Sequence, residues 1–144
     1  METVQISFDV ETSDAECPLG IQVWLDDALL MQSHHVREKI TFLHDLSDDD
    51  GHHELRIVMS GKTSDHTQID AAGNIIKDAV LNISSVVIDG IDINQLFLNK
   101  CVYTHSFNDT QPEIQDTFHG VAGCNGVVSF EFATPIYLWL LENM

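Results

Sequence analysis

Histidine and aspartate are the residues whose types could support chemistry in this chain, and their spacing restricts that chemistry. The eight histidines include the adjacent pairs His34-His35 and His52-His53. Neighbouring residues of a strand point to opposite faces, so neither pair could bind one metal ion through both rings. The sequence has no His-Glu-x-x-His motif and no complete phosphate-binding loop. These patterns favour a protein that is not an enzyme.

An acidic stretch is the one candidate metal site. Asp48, Asp49 and Asp50 precede Gly51 in a predicted turn, and carboxylate oxygens are ligands that calcium prefers. The order of acidic residues in an EF-hand loop is missing. Two interpretations stay open: a solvated acidic hairpin, or a calcium site with Asp48 and Asp50 as ligands. The sequence indicates no other cofactor.

Aromatic residues on predicted strand surfaces are the candidate ligand-binding groups. Trp24 lies between two apolar residues that face the predicted core, so it should point outward on the side of Asp26. By the same alternation, Tyr103 and His105 share one face. Outward aromatic rings beside polar groups occur in sugar-binding faces and equally in oligomer interfaces. The candidate ligand-binding residues are Trp24, Asp26, Tyr103 and His105.

Apolar and polar residues alternate along most of the chain, which predicts strands. The clearest stretches are 4–10, 21–26, 40–42, 54–59, 81–87 and 128–132. Asp89-Gly90 and Asn125-Gly126 supply the turn residues that tight hairpins need. The pattern predicts an all-β fold, with about eight or nine strands in one antiparallel β-sandwich of jelly-roll type. A single domain should span residues 1–144, because 144 residues are too few for two ordinary domains.

The C-terminal stretch 135–141 is apolar on both faces, so its period cannot separate a strand from a helix. We favour a doubly buried strand because Tyr, Trp and Ile prefer a pleated surface. The alternative is a short helix capped by Thr134 with Pro135 at its first position. Either form should be tied to the core or to a partner. The predicted assembly residues are Ile136, Tyr137, Leu138, Trp139 and Leu140.

The charge of the chain restricts its partners. The chain has 6 Lys and Arg against 23 Asp and Glu, which gives a formal net charge of −17. Nucleic acids and anionic membrane surfaces both require basic residues, so we expect neither as a partner. No stretch approaches the run of apolar residues that a membrane-spanning helix needs.

Four segments carry a resemblance to a known family. Residues 21–27 (IQVWLDD), 40–46 (ITFLHDL), 51–57 (GHHELRI) and 81–90 (LNISSVVIDG) resemble motifs of the calcium-dependent xylan-binding carbohydrate-binding modules. In those jelly rolls, similar strand and hairpin motifs follow in the same order. The resemblance spans about half of the chain. It implies a glycan-binding function, with calcium as a possible cofactor.

Two other segments resemble a second group of proteins. Residues 66–75 and 129–144 are similar to small sandwich proteins of marine tailed phages, which resemble tail-fibre, adaptor and capsid-decoration components. The leading hypothesis from this resemblance is a virion structural protein that is synthesised in the host cytoplasm. Its partners would be other virion proteins or copies of itself. The alternative hypothesis is a carbohydrate-binding module that recognises surface glycans.

Overall fold

Alternating burial along the longer strands builds the fold. The computed structural model describes residues 3–61, 67–69, 71–72, 75–105, 114–122 and 125–143. In the first strand, Val4, Ile6, Phe8 and Val10 are buried and the residues between them are more exposed. This period of two gives each strand one apolar face. The prediction of an all-β antiparallel sandwich is confirmed.

One sheet has five strands. Its order is β12-β8-β1-β4, and β9 pairs with β8; each pairing is antiparallel. Asp89 and Gly90 both have positive φ, at 51° and 82°, in the turn that joins β8 to β9. The predicted turn at this position is confirmed. The strands are β1 (Thr3–Thr12), β4 (Ile40–Ser47), β8 (Leu81–Ile88), β9 (Ile91–Asp92) and β12 (Val121–Ala122).

The other large sheet has six strands in the order β11-β10-β13-β5-β2-β3, again antiparallel. A separate two-stranded ribbon is formed by β6 (Thr67–Ile69) and β7 (Ile75–Asp78). The strands of the six-stranded sheet are β2 (Gly20–Leu25), β3 (Ala28–Ser33), β5 (Gly51–Ser60), β10 (Val102–His105), β11 (Ile114–Thr117) and β13 (Gly126–Thr134).

The core lies between the two large sheets. It also receives Phe97 from a seven-residue helix, α1 (Asn94–Lys100). Phe97 and Phe130 pack with ring centroids 5.0 Å apart. Five of the six stretches predicted as strands fall within strands of the structure, and the sixth, 21–26, extends one residue beyond β2 because Asp26 lies in the turn that follows. The sequence did not predict β3 or α1. Of residues 66–75, which contributed to the phage resemblance, positions 66, 70, 73 and 74 lie outside the described residues.

The C-terminal segment is a helix, α2 (Ile136–Asn143), so the strand favoured from the sequence is wrong. The amide of Trp139 donates to the Pro135 carbonyl, which closes the first helical turn. Ile136 and Leu140 are buried, and Trp139 packs against the core. This spacing of three and four residues is that of a helix face. Among the described residues, neither helix is long and apolar enough to cross a membrane.

Candidate functional site

A groove of about 800 Å³ lies where β5, β13 and α2 meet. The β2–β3 turn contributes Asp26 to its lining, and Lys100 and Val102 close it from the side of β10. The helix contributes Trp139, Glu142 and Asn143, which share one face because they are three and four residues apart. The remaining lining residues are His52, His53, Glu54, Ser129, Glu131, Phe132 and Ala133.

Trp139 supplies the largest ring at the groove. It packs nearly perpendicular to Phe130 and Phe132, with centroid distances of 5.7 and 6.3 Å. Phe132 is buried at 2% exposure, whereas Trp139 is only partly buried. Edge-to-face packing of this kind fixes the orientation of a ring. The groove therefore has a rigid aromatic wall that solvent reaches.

A hydrogen-bonded series of Asp26, His53 and Thr134 lies at the groove, and two of its members, Asp26 and His53, line it. His53 Nδ1 lies 2.9 Å from Asp26 Oδ2, and His53 Nε2 lies 3.2 Å from Thr134 Oγ1. The order resembles a catalytic triad. However, Thr134 is buried at 2% exposure, and its hydroxyl donates to the Asp49 carbonyl. Thr134 cannot act as a nucleophile in this position. We therefore interpret the three hydrogen-bonded residues Asp26, His53 and Thr134 as a structural clamp.

The clamp also sets the charge of Asp26. Burial, the largest single influence, raises the pKa of Asp26. The hydrogen bond to His53, the hydrogen bond from the Glu54 amide and the charge of His53 together outweigh it and hold the pKa below 3.8. The Glu54 amide donates to Asp26 Oδ1 over 3.0 Å. Asp26 is therefore a carboxylate near neutral pH.

Polar contacts continue across the outer surface of the sheet. Ser129 donates to Glu54 Oε2 over 3.0 Å, and Arg56 Nε lies 3.3 Å from Glu54 Oε1. The Arg56 guanidinium also lies 5.7 Å from the centre of the Trp24 ring. The prediction that Trp24 points away from the core is confirmed, but Arg56 covers one face of its ring. Trp24 does not line the groove.

Tyr103 and His105 line a different pocket, of about 430 Å³. Their rings stack with centroids 4.3 Å apart, so the prediction that they share a face is confirmed. Tyr103 is buried at 7% exposure, and the prediction that it points outward is wrong. The alternation places both residues on one face of β10, and this face is the inner one. The structure therefore does not bring the pair together with Trp24, and their ligand-binding role stays a prediction.

Asp48 holds the start of α2. Its Oδ1 accepts a hydrogen bond of 2.8 Å from the amide of Ile136, an amide that has no partner within the helix. Thr134, the predicted cap, bonds to Asp49 instead. Asp50 is exposed. Throughout the described ranges, no three His, Cys, Asp or Glu side chains are grouped to hold a metal ion. Calcium binding by Asp48 and Asp50 stays a prediction.

The predicted assembly residues divide between two faces of α2. Ile136 and Leu140 are buried, and Trp139 is at the groove. Tyr137 and Leu138 are 49% and 59% exposed. Leu141, the last residue of the predicted apolar stretch, is 80% exposed and extends this outer apolar face.

Two solved structures are similar to the chain over most of its length. One is vCBM60 in complex with galactobiose, with a TM-score of 0.51 and 15% identity over 88% of this chain and 96% of that chain. The other is the selenomethionine form of vCBM60, described with a circular permutation that links two families of calcium-dependent carbohydrate-binding modules. Its TM-score is 0.52 with 12% identity, over 88% of this chain and 89% of that chain.

No protein-family model and no curated protein sequence matches the chain. At 12–15% identity, the likeness to the two solved structures shows the fold alone. The chain therefore has a β-sandwich fold like that of carbohydrate-binding modules.

Proposed function

We propose that the protein is a non-catalytic glycan-binding module whose ligand lies in the groove beside α2. One observation carries the proposal: Trp139 lines the same groove as the polar residues Asp26, His53 and Glu54. A sugar offers an apolar C–H surface and many hydroxyls, so it needs both kinds of contact. The likeness in fold to modules that bind carbohydrate supports the same function.

The polar side of the groove is ordered before any ligand arrives. His53 is held between Asp26 and Thr134, and Glu54 is held by Ser129 and Arg56. Groups that are already fixed lose little conformational entropy when they bind. A preorganised groove should therefore bind a flexible, hydroxyl-rich sugar chain more tightly than a groove that must first rearrange.

A glycan array followed by calorimetry tests the proposal. Trp139→Ala should lower the affinity for the best array ligand about tenfold, which corresponds to about 1.4 kcal/mol. Leu138→Ala is the matched control because it truncates an exposed residue of the same helix outside the groove. Circular dichroism must show that both variants are folded. An array without any ligand, or equal loss in the two variants, would contradict the proposal.

We propose assembly through the outer apolar face of α2 as a second function. Tyr137, Leu138 and Leu141 are exposed together on this short helix, and exposed apolar patches mark interaction sites. The sequence-based hypothesis of a virion structural role requires such a surface. Copies of the chain itself and other virion proteins are the partners to test.

Light scattering and mass spectrometry of purified virus particles test this second function. Replacing both Leu138 and Leu141 by Asp should dissociate any assembly that forms through the outer face of α2. Leu43→Asp is the control, since Leu43 is 57% exposed on β4 in the other sheet. A wild-type protein that is monomeric at all concentrations and missing from every particle would exclude assembly.

A further inference from the structure

Two glutamates at opposed positions of neighbouring strands line the groove. Glu54 of β5 and Glu131 of β13 are cross-strand partners, and both line the groove. Their neighbours along the strands, Leu55 and Phe130, are buried, so the two carboxylates lie on the outer face. Side chains at opposed positions have Cβ atoms about 4.5–5.5 Å apart, and like charges placed there are destabilising. The groove therefore carries an unfavourable pair of negative charges.

Only one member of this pair is neutralised. Arg56 and Ser129 contact the carboxylate of Glu54. The side chain of Glu131 is exposed and makes no hydrogen bond or ion pair with any residue that the structure describes. Lys100 lines the same groove without forming an ion pair to Glu131 in the described part of the chain. Glu131 thus remains available to a positively charged group of a ligand.

The rest of the lining adds to the negative charge. Asp26 and Glu142 are further carboxylates at the groove, against the single ammonium of Lys100. A glycan with uronate or sulfate groups would be repelled by this arrangement. No group of three metal-binding side chains occurs among the described residues. A single organic ammonium group needs fewer ligands than a metal ion. It could bind the Glu131 carboxylate, beside Glu54, whose charge Arg56 already balances in part.

We infer that the groove is selective for glycans with free amino groups, such as short oligomers of glucosamine, and that Glu131 receives the ammonium. This inference rests on the proposed glycan-binding function and names the ligand class of the same groove. The Trp139 ring would contact the apolar side of the sugar while Glu131, with Glu54 opposite, selects its charge.

Calorimetry with a matched pair of ligands tests the inference. The probes are the trimer of glucosamine and the same trimer fully N-acetylated, at a mildly acidic pH that keeps the free amines protonated. The charged trimer should bind about tenfold more tightly, as expected for a charge-assisted hydrogen bond. Glu131→Gln should reduce this preference to about twofold.

A control variant distinguishes a specific effect of the groove from attraction of the charged trimer by the net negative charge of the protein. Glu38→Gln removes one exposed carboxylate outside the groove and should keep the full preference. Equal loss in Glu38→Gln and Glu131→Gln would mean that net charge attracts the trimer, and the inference would be wrong. Equal or tighter binding of the acetylated trimer would overturn the inference while the glycan-binding function stands. If neither trimer nor any array glycan binds, both fail.

Discussion

Two His–Asp pairs of the six-stranded sheet have nearly the same geometry and different surroundings. His53 Nδ1 lies 2.9 Å from Asp26, and His105 Nε2 lies 3.0 Å from Asp116. In the first pair, the second ring nitrogen of His53 contacts the Thr134 hydroxyl, which in turn donates to the Asp49 carbonyl in the β4–β5 turn. In the second pair, His105 Nδ1 is buried without a hydrogen-bond partner among the described residues.

The difference shows that the identity of a residue pair does not determine what it contributes. A buried polar atom without a partner costs about 1–3 kcal/mol, which can cancel the gain from the hydrogen bond on the other side of the ring. The pair of His53 joins β5 to a turn and to β13, whereas the pair of His105 joins only the neighbouring strands β10 and β11. We therefore expect the first pair to stabilise the fold and the second to add little.

The largest expected effect is at the buried end of the first pair. Thr134→Val keeps the shape of the side chain but removes the hydroxyl that contacts both His53 and the Asp49 carbonyl. The free energy of unfolding should fall by about 1–3 kcal/mol, because buried partners lose their hydrogen bond. Urea denaturation measures it. Thr41→Val, at an exposed hydroxyl bonded to Asp9, is the control and should cost about 0.5 kcal/mol or less.

Double-mutant cycles compare the two pairs directly. The coupling between His53 and Asp26 should be about 1 kcal/mol, since the Glu54 amide already fixes the carboxylate. The coupling between His105 and Asp116 should be half of that or less, because no second hydrogen bond from the described residues fixes the exposed Asp116 carboxylate. Chemical denaturation of the four single and two double alanine variants gives both values. Equal couplings would contradict the comparison.

The smallest expected effect is the pH dependence that Asp26 produces. Its pKa is lower in the folded state than the 3.8 of an unperturbed Asp. The stabilisation it gives is therefore complete above pH 3.8 and is lost as the pH falls through that value towards the folded pKa. Asp26→Asn should flatten the acid limb of the stability curve slightly, since the side chain is 49% exposed. An unchanged acid limb would show that the pair does not favour the charged form.

The strands were predictable because their pattern is local. In β1, for example, Val4, Ile6, Phe8 and Val10 show the inward face in four consecutive alternations, which needs no knowledge of the partner strand. The helix α2 was not predictable in the same way. Its outer face carries Tyr137, Leu138 and Leu141, so apolar residues surround the helix and no period remains. The sequence alone could not show that this outer face is left uncovered.

The candidate site depends on information that no local pattern contains. Asp26 and Trp139 were predicted as functional residues, but for different sites, and the fold places both at one groove. Glu54 and Glu131 are opposed only because β5 and β13, which are far apart in the chain, pair in one register. A shift of that register by one residue would turn every side chain of one strand to the other face. Tyr103 shows the same limit, because alternation groups residues without saying which face is inner.

The hydrogen bond from the Ile136 amide to Asp48 gives a direct experimental view of the groove. That amide exchanges with solvent deuterium only when the first turn of α2 separates from the β4–β5 turn. Since Trp139 is on the next turn and lines the groove, a ligand held there should slow the exchange of this one backbone proton. The acidic β4–β5 turn would thus hold the start of α2 in place. The exchange rate of the Ile136 amide would report how often this contact opens.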